Sequence, residues 1–404
     1  MVAFHFPPLV GSSGILRTLK FSQYLPQFGW QPIVLTAHPR AYPERANGHA
    51  VGGGTIVHRA FALDTRRHLS MRGAYPQSLA LPDRWASWWL GAVPAGLRLI
   101  RKYRPEVIWS TYPVATAHLI GLTLHRLTGI PWVADFRDPM AQDGYPSDPL
   151  EWRVYKWLED QALRHSAQSV FTTPGALRSY SQTYRDVPAA RLELIPNGYD
   201  EEDFVSLSST RAPPNGGPIV LLHSGTLYPS ERDPRQLFAA LSQLLRTGKL
   251  RRELKIVLRA TGHDAYVRKL LTEFRIEQVV SIEPPIPYRE ALAEMIDADG
   301  LLILQASNCN EQIPAKLYEY LRARRPLLAL TDPSGDSAAA IKEAGIDTIA
   351  PLDSTEAIIE ALPRFLDLVA LGQAPVAAPE HIAKSSRRFR TQQLSALFDR
   401  LTLR

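Results

Sequence analysis

The segment Asn310–Leu330, NEQIPAKLYEYLRARRPLLAL, constrains the fold most tightly. A polar turn leads into a helix with Pro314 near its first position, where a missing N–H removes no hydrogen bond. Leu317 and Leu321 share one helical face. The basic run Arg322-Ala323-Arg324-Arg325 complements the negative end of the helix dipole. Pro326 stops the helix, and Pro326–Leu330 reads as a strand buried in a parallel sheet. Glu311 lies just before the helix and Glu319 two turns inside it. Eight residues at a rise of about 1.5 Å place the two at most ~12 Å apart. Between them, Gln312, Ile313, Pro314 and Lys316 form a helix start whose N–H groups and positive dipole end favour an anion.

At 404 residues the chain has room for two to three domains with buried cores. A hydrophobic share of 45% and a charged share of 21% are those of an ordinary globular protein. The single cysteine, Cys309, excludes an internal disulfide and a multi-cysteine zinc site, and fits a reducing compartment. No apolar run approaches the ~18 residues a membrane span needs. The opening MVAFHFPPLVGSSG has no basic n-region and no signal-type apolar core, so a cytoplasmic location is expected. Residues 1–200 hold 21 Lys+Arg against 14 Asp+Glu, whereas 201–404 hold 25 against 26. The basic excess belongs to the first half, which is therefore expected to face something anionic.

Along the chain, strands and helices alternate. Val2–Phe6 is a first strand, short enough to expect a start a few residues upstream. It runs through Pro7–Gly14 into a helix from Ile15 to about Phe28. The turn carries Gly11, Ser12 and Ser13, whose backbone can approach an anion or sugar closely, but it does not fit Gly-x-Gly-x-x-Gly. Residues 84–105 hold five Lys/Arg, no acid and three tryptophans. That composition suits either a membrane surface or a helix packed on the sheet. Strand Trp132–Asp135 ends in Ala134-Asp135-Phe136-Arg137-Asp138-Pro139. Two carboxylates and a guanidinium at the carboxyl end of a parallel strand lie where α/β folds place binding residues.

The first half closes on Pro196-Asn197-Gly198, and residues 200–217 read as a linker. A second α/β series opens with strand Ile219–His223 and the turn Ser224-Gly225-Thr226. Arg232 is the candidate phosphate cation, because its fork matches phosphate oxygens. Arg259 sits beside another strand-end glycine turn. Asp297-Ala298-Asp299 has the letters of a metal-binding pair but reads as a solvated helix-to-strand junction, and no catalytic metal is expected. Residues 371–381 read as linker, and Lys384–Arg404 as a basic C-terminal helix.

Glu311 and Glu319, followed by the basic turn and Pro-Leu-Leu-Ala-Leu, resemble the donor-binding signature of GT-B glycosyltransferases, specifically the retaining glycosyltransferase family 4. The order of the other motifs extends the resemblance over almost the whole chain. Ala-Asp-Phe-Arg-Asp-Pro is similar to a subgroup that adds sugars in bacterial surface-polysaccharide assembly, with Arg137 near the place where a His often lines the cleft.

The resemblance implies an α/β fold of GT-B type: two facing doubly wound Rossmann-like domains with a cleft between them. They would span 1–200, joined by the helix 384–404, and 215–383. It implies transfer of a hexose-type sugar from a nucleoside-diphosphate sugar, with retention, no cofactor and no metal. The acceptor would be a lipid-linked glycan or other glycan, with peripheral contact at the inner face of the cytoplasmic membrane and no nucleic acid as partner.

Asp135, Arg137, Asp138 and Glu311 are the expected catalytic residues. Gly11, Ser12, Ser13, Arg17, Asn197, Ser224, Gly225, Thr226, Arg232, Arg259, Gln312, Ile313, Pro314, Lys316, Leu317 and Glu319 are expected to hold the donor. Two other readings remain open: a GT-B epimerase or hydrolase of nucleotide sugars, and a non-catalytic sugar-nucleotide-binding scaffold.

Overall fold

The computed structural model describes residues 1–10, 14–45, 51–52, 54–208 and 217–402. Gly11, Ser12 and Ser13, part of the 200–217 stretch, and the last two residues of the expected C-terminal helix lie outside them. The chain divides into two compact units, Met1–Asn197 with Arg387–Arg404, and Gly198–Ser386.

The strands of the first unit are β1 (Ile33–Ala37), β2 (Ile56–Ala60), β3 (Ile108–Thr111), β4 (Trp132–Phe136), β5 (Gln168–Phe171) and β6 (Leu192–Leu194). Its helices are α1 (Gly14–Tyr24), α2 (Thr65–His68), α3 (Ser87–Tyr103), α4 (Ala115–Thr128), α5 (Pro149–His165) and α6 (Pro174–Thr183). β1 pairs with β2, and β3 to β6 pair in chain order, all parallel. Val2 bridges the two groups through Leu35 and Ser110. The expected strand Val2–Phe6 thus shrinks to one bridging residue. Ala3 still donates to Leu35 O, but Pro7 and Pro8 offer no N–H to carry the ladder further. The chain runs outward from Val2 to β1 and β2, then back to β3 on the other side. This reversal makes the carboxyl ends of the strands around it the natural ligand site.

The tryptophans of 84–105 resolve toward packing. Trp88 is fully buried, Trp85 Nε1 donates to Ala41 O, and Trp89 Nε1 donates to Thr123 Oγ1.

The second unit holds β7 (Ile219–Ser224), β8 (Leu254–Arg259), β9 (Val280–Glu283), β10 (Gly300–Leu304), β11 (Leu327–Leu330) and β12 (Ile349–Ala350). Its helices are α7 (Arg235–Arg246), α8 (Asp264–Phe274), α9 (Tyr288–Asp297), α10 (Lys316–Ala323), α11 (Asp336–Glu343), α12 (Thr355–Ala370) and α13 (Pro379–Lys384). The last helix, α14 (Arg387–Thr402), belongs to the first unit. The sheet order is β12-β11-β10-β7-β8-β9, all parallel, so its direction reverses between β7 and β10. β10 and β11 are buried throughout, as an all-apolar strand flanked on both faces must be.

Two expectations need correction here. Asp299 is no solvated junction residue: it is buried, its carboxylate takes the Val220 N–H at 2.8 Å, and its own N–H donates to Val220 O. This pairing ties the start of β10 to β7. The 371–381 stretch is partly ordered into α13, anchored where Ala378 N donates to Ala344 O. No described helix is long and apolar enough to cross a membrane.

Candidate active site

In the second unit the carboxyl end of β7 and the start of α10 converge. His223 is buried. Its Nδ1 lies 2.9 Å from Leu302 O and its Nε2 3.2 Å from Lys316 Nζ. Burial and the Lys316 charge push His223 far below its ordinary value, so the ring is neutral. A neutral ring that donates through Nδ1 presents Nε2 as an acceptor, and the Lys316 ammonium fills it. Lys316 is itself depressed to about 7 by burial and by Arg232, against the opposing charge of Glu319. Arg232 Nη1 donates to Thr226 O at 3.1 Å, and its guanidinium lies over the Tyr228 ring.

Gly225 makes this gathering feasible. Its φ is +114°, and a Cβ there would stand 3.0 Å from Lys316 Nζ. The residue must therefore be glycine for both its conformation and its clearance. Ser224 N is held by Tyr320 Oη at 2.8 Å, which fixes the turn onto α10.

Glu319, one turn inside α10, is buried and accepts from Tyr288 Oη at 2.8 Å. Glu311 is exposed. Gln312 and Ile313 lie in the irregular approach to α10, and the Gln312 carbonyl accepts from Gln305 Nε2 at 2.9 Å. The helix begins at Lys316, two residues later than Pro314 would place it. Leu317 N and Tyr318 N are already bonded to Pro314 O and Ala315 O. A tight turn thus consumes two of the N–H groups expected to face an anion, and the Leu317 side chain is core. Arg259 is also committed: Nε and Nη2 grip the Glu294 carboxylate and Nη1 donates to Pro284 O. It acts as a clamp between β8 and α9 instead of a free phosphate cation. Cys309 is buried, with its thiol pushed up to about 11, which keeps it protonated and inert.

In the first unit Arg17 and Asp135 form a buried bidentate pair, Nη2 to Oδ1 at 2.7 Å and Nε to Oδ2 at 3.0 Å. Thr111 Oγ1 donates to the same Oδ2, and Arg17 also reaches Ile195 O and Pro196 O. Both side chains are consumed in joining α1, β3, β4 and the segment before Asn197. Asp135 was expected as a catalytic residue and Arg17 as a donor ligand; here their polar atoms are bonded to each other and to these neighbours. Arg137 donates from Nη1 to Gly14 O, and its own carbonyl takes Thr172 Oγ1. Asp138 next to it is exposed. Behind this loop, buried Glu159 accepts from Tyr180 Oη, Tyr184 Oη and Ala141 N.

Sequence reading missed His223, Tyr288, Tyr320 and His5. The last has its pKa lowered to about 4 by burial and by the Arg137 charge. A signal existed only for His223, a polar residue that ends an otherwise apolar strand.

Residues 16–198 match the family model described as glycosyl transferase 4-like domain. No curated protein sequence gives a significant match. Among solved structures, the chain resembles sucrose-phosphate synthase from Thermosynechococcus elongatus at a TM-score of 0.64 and 17% identity, covering 100% of this chain and 96% of that one. It resembles Anabaena HepE, solved in complex with UDP-glucose, at 0.62 and 13%, covering 99% of each. It also resembles WaaG, a glycosyltransferase involved in lipopolysaccharide biosynthesis, at 0.62 and 12%, covering 98% of this chain and 99% of that one. With these neighbours the fold of this chain is GT-B.

Proposed function

We propose that this glycosyltransferase, with its glycosyl transferase 4-like domain at residues 16–198, moves a hexose-type sugar from a nucleoside diphosphate to a glycan acceptor with retention and without a metal. The observation that carries the donor assignment is the Lys316–His223–Arg232 cluster over Gly225, two cations gathered at a strand switch point. The UDP-glucose complex of HepE supports a nucleotide-sugar donor.

In this reading the bond from the anomeric carbon to the diphosphate breaks, with its electron pair leaving on the diphosphate. Lys316 and Arg232 stabilise that charge. Glu319, oriented by Tyr288, takes the ribose hydroxyls, and Glu311 takes sugar hydroxyls. The acceptor hydroxyl bonds to the same face of the anomeric carbon and passes its proton to a diphosphate oxygen. Asp138 and Arg137 contact the acceptor.

We place the acceptor on a lipid-linked glycan at the inner face of the cytoplasmic membrane, in surface-polysaccharide assembly. Phe61, Leu69, Met71, Leu79 and Leu90 are exposed, Met71 at 83%. They are interleaved with Arg66, Arg67 and Arg72, a mixture that suits an anionic bilayer surface. Thermal unfolding with UDP, GDP, ADP and dTDP tests the donor site. A nucleotide at ~100 times its dissociation constant adds roughly 2.7 kcal/mol, and Glu319→Ala should abolish that gain. No shift with any of the four would overturn the reading.

A further inference from the structure

The first unit holds a second cationic cluster, at the carboxyl ends of β1 and β2. His38 N donates to Ala60 O at 2.7 Å and closes this edge. Leu9 forms an antiparallel bridge with Arg45, which draws the segment after Pro8 onto the same end. Arg59, at the end of β2, donates from Nη2 to Pro7 O at 2.7 Å. Its Nη1 is buried, with no hydrogen-bond partner among the described residues. Arg40 is steadied by His38 Nδ1 at 3.3 Å from its Nε and by the Phe61 ring beneath its guanidinium. Arg40, Arg59 and Arg45 all lie within electrostatic reach of the His38 imidazole and, after burial, lower its pKa.

None of these three arginines is paired with a carboxylate among the described residues, unlike Arg17, Arg84 and Arg164 of the same unit. Residues 33–63 contain one acid, Glu44, which is exposed. Three guanidiniums gathered without a counter-charge repel one another, and an anion with several oxygens relieves that repulsion. Arginine forks match phosphate oxygens two at a time. The carboxyl ends of parallel strands are also where such a fold opens to ligand.

We propose that this edge binds the phosphate of a phosphate-bearing acceptor, held by Arg40, Arg45 and Arg59. The proposal rests on the glycosyl-transfer reading for the word acceptor, but the anion site stands without it. It narrows the acceptor to a phosphorylated or pyrophosphate-linked glycan and orients it with its charged end at β1 and β2.

Inorganic pyrophosphate is the probe, titrated calorimetrically into the full chain at low salt. Arg40 and Arg45 are exposed, so Arg40→Gln/Arg45→Gln keeps the fold, and Arg59→Lys serves as a second variant. Wild type should bind pyrophosphate at a site that survives Arg232→Gln/Lys316→Met. The Arg40→Gln/Arg45→Gln chain should lose at least ~10-fold in affinity there, as expected for two charge-assisted bonds, while its UDP affinity holds. An unchanged pyrophosphate isotherm in that variant overturns the proposal. So does pyrophosphate binding that vanishes with Arg232 and Lys316 alone. Failure of UDP to bind wild type would instead sink the donor site and leave this test readable. Co-sedimentation with phosphatidylglycerol vesicles separates a lipid headgroup from a soluble phosphate; either source supports the site.

Discussion

Raising the pH from 7 to 9 should weaken nucleoside-diphosphate binding, because Lys316 gives up its proton in that window. Its pKa of about 7 lies well below the ordinary 10.5, through burial first and the Arg232 charge second. A diphosphate placed on it supplies opposite charge and restores the ammonium. The free site must then reacquire a proton to bind, so the apparent dissociation constant grows about fivefold from pH 7 to 8 and approaches tenfold per unit beyond. Over two units the loss is roughly fiftyfold, near 2.3 kcal/mol. The terminal phosphate, with a second pKa near ~6, is already ionised and does not offset the trend.

Calorimetry with UDP in two buffers of different ionisation enthalpy would read both the affinity and the proton uptake, expected near half a proton at pH 7. Lys316→Met should bind weakly and show no pH slope. Without ligand the sign reverses. Between pH 7 and 10.5 the unfolded chain holds a proton that the native chain has released, so wild-type stability rises relative to Lys316→Met. A flat affinity from pH 7 to 9 with no proton uptake would refute the assignment of Lys316 to the phosphate.

Arg17→Met leaves Asp135 buried with a charge and no cation, and should cost about 3–5 kcal/mol by urea unfolding; a loss under ~1 kcal/mol would show that the pair is not the clamp described. Gly225→Ala forces a side chain into φ +114° and toward Lys316 Nζ. It should destabilise by about 1–3 kcal/mol and weaken UDP by more than ~10-fold, and unchanged UDP affinity would refute the close approach.

The strand and helix pattern was legible because apolar runs and their Pro and Gly breaks are local signals. β11 read as a buried parallel strand from its letters alone. What escaped the sequence was the pairing of charges over long separations. Arg17 and Asp135 are 118 residues apart, and Arg259 and Glu294 are 35 apart. A cation bound to a distant carboxylate has the same letter as one left for a ligand. Arg232 and Lys316 looked no different from Arg17 and Arg259 in sequence; the structure separates them, since among the described residues Arg232 has only Glu231 at 3.9 Å where Arg17 and Arg259 are gripped by a carboxylate at two points. The onset of α10 was misplaced because Pro314 also fits the tight turn that precedes the helix.

The helix α14 completes a core made largely from the other end of the chain. Leu394, Leu397 and Phe398 cover Phe21, Leu25, Trp109, Val133 and Val170. The whole of Gly198–Ser386 lies between them in sequence. On the ribosome, the second unit is continuous and can finish its own sheet as it emerges. The first unit waits with that patch uncovered for the ~10–40 s that translation needs at about 5–20 residues per second. For that interval the nascent first unit is the vulnerable partner, and a ribosome stalled inside the second unit leaves it open. Its stability is settled by a helix made after the whole second unit.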